Sequence, residues 1–151
     1  MIVHVCSAGT WLGMDVVLGI LVFTALAASP ADSAGFAFAI GSFVGWPLVT
    51  AALLTLLSGV VIAVGSKIGL TRHRWVLVKL VLTLVLLILT VTLLVPSVAE
   101  VVRAASESHG PVTIERSLIF PPIVSSLMLI FAIGISVVRP WGRRRRREDP
   151  R

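Results

Sequence analysis

The chain lacks most of what a soluble enzyme is built from. Only 13% of its 151 residues are charged, and it has a single cysteine, Cys6. One cysteine excludes an intrachain disulfide and any cysteine-cluster metal site. There is no Gly-x-Ser-x-Gly elbow, no His-Glu-x-x-His helix, no phosphate-binding glycine loop and no carboxylate pair at catalytic spacing. The first apolar stretch contains no Lys or Arg. It also exceeds the roughly 7–15 apolar residues of a cleaved leader. It is therefore read as a retained helix rather than a signal ending at Ala25-Leu26-Ala27.

What the chain does have is apolar surface. Hydrophobic residues make up 57% and mean hydropathy is +1.04. A soluble domain has about 45–50% apolar and about 25% charged residues, so a core of this size could not hide so much. A bilayer can. The spacing predicts an all-α, four-transmembrane-helix bundle over residues 1–139, followed by a basic tail, 140–151. A spanning helix needs about 20 mostly apolar residues. The first falls at 3–28, ended by Ser29-Pro30-Ala31-Asp32. The second falls at 46–65, with a Gly-rich helical extension from 34 that is expected to bend near Trp46-Pro47, where proline removes a helix bond. The third falls at 75–95 and is expected to stop at Pro96. The fourth falls at 118–138, opened by Pro121-Pro122 and closed by Arg139-Pro140.

Charge sets the orientation. The turn between spans two and three carries Lys67, Arg72 and Arg74, within the hairpin at 57–80. The tail carries Arg139, Arg151 and the run Arg143, Arg144, Arg145, Arg146 and Arg147. The opposite side has Arg103 and Arg116 beside Asp32, Glu100, Glu107 and Glu115. Four spans with both termini cytoplasmic, in a bacterial inner membrane, satisfy this pattern. The net charge of +6 is concentrated in the tail, where it reads as a topology signal and a contact for anionic lipid headgroups rather than for nucleic acid. Between Pro96 and Ser117, Val98, Val101, Val102 and Ala105 recur at helical spacing. That predicts an amphipathic turn or two on the outer interface.

Three residues stand out inside the spans. Lys79 lies about 7 Å past Arg74 at 1.5 Å per residue, shallow enough to snorkel to the headgroups. An ion pair or a ligand role is the alternative. Thr83 and Thr90 follow it in a polar stripe, although such threonines commonly bond their own helix. His4, Ala8, Trp11 and Asp15 share one face of span one, with His4 near the depth of Lys79. Asp15 lies about 16 Å deeper, near mid-membrane. An unpaired charge there costs at least about 2.5–3.5 kcal/mol, so Asp15 is expected to face the bundle, protonated or paired, with Lys79 a candidate partner. His4 is an interfacial histidine or a haem or metal ligand. His4, His73 and His109 fall on both sides of the membrane and cannot form one metal cluster.

Small residues mark packing faces. Gly9 and Gly13 form Gly-x-x-x-Gly, as do Gly41 and Gly45, and Ala52, Gly59, Ala63 and Ser66 share a face of span two. They serve packing within the chain or a homo-oligomer.

Several runs occur in a familiar order. His4-Val5 and Trp11-Leu12-Gly13 open span one, and Trp46-Pro47-Leu48 precedes Leu57-Ser58-Gly59. Then come Gly69-Leu70, Arg72-His73, Trp75-Val76-Leu77-Val78-Lys79-Leu80 and Arg139-Pro140-Trp141-Gly142. This order resembles a bacterial family of integral membrane proteins known as domain of unknown function number 2269. More distantly, the span-one histidine with Trp11 and Gly13, Ser58-Gly59, and Lys79-Leu80 are similar to the copper-resistance D proteins and the membrane-bound protoporphyrinogen oxidases. The second of these resemblances implies a b-type haem site at His4 and Lys79. The functional expectation is a multi-pass membrane protein of non-enzymatic, accessory or interaction type. A haem-binding or redox module and a small cation or proton pathway through Asp15 and Lys79 are the alternatives.

Overall fold

The computed structural model describes residues 1–65, 74–108 and 111–138. Lys67, Arg72, His73, His109, Ser66, Arg139 and the arginines from 143 to 147 lie outside the described residues.

All the regular structure among the described residues is helical. Helix α1 is Ile2–Ala27, α2 is Ser33–Val44 and α3 is Trp46–Gly65; α4 is Arg74–Leu89, α5 is Val95–Ser108 and α6 is Phe120–Val138. Four stretches are long and apolar enough to cross a membrane: Ile2–Ala27, Pro30–Gly65, Val76–Glu107 and Arg116–Ile135. Between them the chain turns where the sequence has turn formers. Ser29 Oγ donates to Asp32 Oδ2 at 2.7 Å, and Ser33 Oγ donates to the Pro30 carbonyl at 2.7 Å. Pro121 and Pro122 sit in the first turn of α6, where the missing N–H costs nothing.

Helix α1 is the hub, in contact with α2, α3 and α6. It buries Ser7, Trp11, Asp15, Leu18, Val22 and Ala25, in steps of three and four that keep them on one face. The opposite surfaces are apolar too. Ile20, Phe23, Leu57, Val61, Leu93, Leu127 and Phe131 are each more than half exposed, which suits hydrocarbon rather than water.

The bend before span two falls at Gly45, directly beside Trp46-Pro47, where the sequence placed one. Gly45 takes φ −60, ψ −132, and its N–H closes α2 on the Gly41 carbonyl. Pro47 then opens α3, where its lost donor is harmless. The third helix does not stop at Pro96. It passes through a π-helical turn, Thr90–Leu94, straight into α5, with the Val95 N–H bonded back to the Thr90 carbonyl. That wider turn makes room for a proline ring that would otherwise strike the preceding turn. The residues expected to form an amphipathic turn or two on the outer interface therefore continue the third helix. Val98 and Ala105 are buried, and α5 packs on α2, with Glu100 and Arg103 outward.

Small residues bring these helices together. A β-carbon on Gly41 would lie 2.6 Å from Val102 Cγ2, and one on Gly59 would lie 3.2 Å from His4 Cε1. A β-carbon on Gly9 or Gly13 would meet nothing within 4 Å, so that motif makes no close packing contact among the described residues.

Candidate functional site

Asp15 lies at the middle of α1, about 20 Å from Ile2 and about 18 Å from Ala27 at 1.5 Å per residue. It is 2% exposed. A carboxyl so placed needs a polar partner, because hydrocarbon supplies none. The partner is Ser125 of α6, whose Oγ donates to Asp15 Oδ2 at 2.5 Å. Asp15 is therefore held by a serine rather than by Lys79. The bond joins the first and last helices of the bundle.

Ser125 is inconspicuous in the sequence, and it is the residue that gives Asp15 its setting. Most other Ser and Thr hydroxyls in the helices bond back one turn. Thr83 donates to the Lys79 carbonyl at 2.9 Å and Thr90 to the Leu86 carbonyl at 2.9 Å. The polar stripe beyond Lys79 is thus backbone-satisfied. A signal for Ser125 was present: Ser125-Ser126 falls within an otherwise apolar stretch of span four, opposite a carboxyl in need of a donor.

Asp15 and Ser125 line a cleft of about 340 Å³ between α4, the π turn and α6. Its walls are mainly apolar: Leu86, Leu89, Leu93, Leu94, Phe120 and Val124. Thr90, Ser97 and Ser117 add hydroxyls. A mostly apolar pocket with a few converging polar groups is the usual form of a small-molecule site, and π turns recur at such sites. Asp15 Oδ2 is occupied by Ser125. Oδ1 has no hydrogen bond among the described residues. Nor is it a fully enclosed unpartnered atom, of which Trp11 Nε1 is the one found among the described residues. The free oxygen is accordingly open to the cleft.

His4 and Lys79 do not line this cleft. Thr90 and Asp15 share it, and Lys79 and His4 each lie eleven residues below, about 16 Å, so the two sit at similar depth. His4 is committed to α3. Its Nδ1 donates to the Thr55 carbonyl at 3.0 Å and lies 3.1 Å from Ser58 Oγ. A carbonyl only accepts, so Nδ1 carries the proton. Ser58 donates its own proton to the Leu54 carbonyl at 2.5 Å, and its oxygen shares the single Nδ1 proton with the Thr55 carbonyl. The ring also lies against Gly59. None of the three cavities described borders His4 or Lys79. The described residues thus present His4 as a contact between helices. No group of three or more His, Cys, Asp or Glu side chains suited to a metal ion occurs among the described residues.

Comparison with known proteins finds no matching family model, no matching curated protein and no matching solved structure. What defines the site is its geometry: among the described residues of a helical membrane protein, one buried carboxyl lines an apolar cleft.

Proposed function

We propose that this chain is a non-enzymatic, multi-pass protein of the bacterial inner membrane, an accessory or interaction protein that binds a small, largely apolar ligand in the Asp15–Ser125 cleft. The observation that carries this reading is the open Oδ1 of a carboxyl 2% exposed, at the depth where a charge is most costly. A residue kept there without a full set of partners suits a ligand better than it suits packing. Both termini lie in the cytoplasm on this reading, with Lys67, Arg72 and the tail arginines on that side and the α5 end facing the periplasm. Arg143 to Arg147 contact anionic headgroups.

The test uses the full chain in lipid nanodiscs with 1-octanol, whose hydroxyl can both donate to and accept from a carboxyl. Saturable binding by saturation-transfer NMR is expected, and it should be lost in Val124→Trp, which places an indole in the cleft. Equal, non-saturating signals from both proteins would show that octanol partitions into lipid alone, and the reading would fall.

A further inference from the structure

The cleft has a neighbour. A second cavity, of about 400 Å³, lies between α5 and the segment before α6. Ser97 and Leu118 line both cavities, so the two abut across those side chains. The charged lining of the second is of one sign: Glu100 from α5 and Glu115 from the segment that follows. Arg103 and Arg116 are near in sequence but do not line it. Glu115 Oε2 takes a hydrogen bond from Ser117 at 2.9 Å, while Glu100 is exposed.

Each position selects for charge. Two carboxylates at a mouth raise the local concentration of cations, and low-dielectric walls focus their field. Further in, the open oxygen of Asp15 accepts a hydrogen bond when the carboxyl is ionised, and a charged donor both makes the stronger bond and favours that ionised form. The leucine-rich wall does not suit a metal ion that sheds its water, since such an ion would need about six oxygens in its place. An anion is opposed at the mouth and again at Asp15. One kind of molecule meets all three conditions: a compact cation with N–H groups and an apolar body.

We propose that the cleft takes a protonated primary or secondary amine bearing an apolar group, admitted past Glu100 and Glu115, with its N–H on Asp15 Oδ1 and its hydrocarbon against Leu89, Leu93 and Phe120. This rests on the cleft being the binding site and adds the charge class of what it binds.

Three eight-carbon probes separate the possibilities in nanodiscs of the full chain: n-octylammonium, 1-octanol and octanoate. Octylammonium should bind about tenfold more tightly than octanol, as a charge-assisted bond replaces a neutral one, and octanoate should not bind. Asp15→Asn, which keeps an acceptor for Ser125, should bring the two affinities together. Glu100→Gln with Glu115→Gln, both at exposed positions, should slow octylammonium association several-fold and flatten its salt dependence. Octanol binding should be unchanged. If octanol binds saturably but octylammonium has no advantage, the charge class is wrong and the cleft reading survives. If neither probe saturates, both fall. Should Asp15→Asn not fold, the glutamate pair decides alone, and an unaltered octylammonium on-rate in that variant overturns the route.

Discussion

Gly41 of α2 and Val102 of α5 meet so closely that a β-carbon on the glycine would lie 2.6 Å from Val102 Cγ2. Val102 is β-branched and cannot easily rotate away. Gly41→Ala is therefore expected to destabilise the protein by about 1–3 kcal/mol through overpacking. Thermal unfolding in detergent measures the loss. Adding Val102→Ala should restore most of it; no recovery in the double variant would mean the two helices do not meet here.

Ser125→Ala removes the one side-chain donor to Asp15 found among the described residues. Interhelical hydrogen bonds in membranes are worth about 0.6 kcal/mol on average and up to about 1.7. The expected loss lies toward the upper end, because a carboxyl is left buried. Ser125→Thr retains the hydroxyl and should cost less. Denaturant titration of the three proteins orders them wild type, Thr, Ala; an Ala variant as stable as wild type would show that the contact is not formed.

His4→Ala should lower stability by about 0.5–2 kcal/mol, from the lost bond to the Thr55 carbonyl and the space left over Gly59. It should leave the visible absorption of the purified protein unchanged. A Soret band in wild type that disappears in His4→Ala would instead make His4 an axial ligand and revive the haem alternative.

Replacing Arg143, Arg144, Arg145, Arg146 and Arg147 by Gln should leave the melting temperature alone. It should weaken flotation of a tail peptide with anionic vesicles by about 1 kcal/mol for each charge engaged. Neutral vesicles should show no difference. Equal binding of both peptides to anionic vesicles would remove the lipid role.

The architecture was legible because hydropathy and length alone select spanning helices, and nothing in 3–28 or 118–138 competes with that. The inward face of α1 was legible from the spacing of Trp11 and Asp15. The amphipathic positions Val98 and Ala105 were legible too, though their partner, α2, was not. Pro96 misled because proline ends helices when judged by its own lost N–H. The π turn that accommodates it arises from the geometry of the whole helix and has no letter in the sequence. Ser125 stayed hidden because a serine in an apolar helix normally bonds its own backbone, and its partner is 110 positions away. Lys79 and His4 drew notice as polar residues, yet the polar groups of the cleft are Asp15 and hydroxyls.

The π turn at Thr90–Leu94 has one more effect. Thr90, Leu94 and Val98 are all buried, two successive steps of four. In a regular α-helix each such step overshoots a full turn by about 40°, and the buried line would wind away from its neighbours. The extra residue in the turn resets the phase. It lets α4 and α5 present these evenly spaced buried residues to the same interior, and it sets the azimuth at which Glu100 leaves the helix. A one-residue deletion at exposed Thr92 would rotate everything beyond it by about 100°, turning Val98 outward. The carboxylate at the mouth of the second cavity is thus aimed by a turn lower in the same helix.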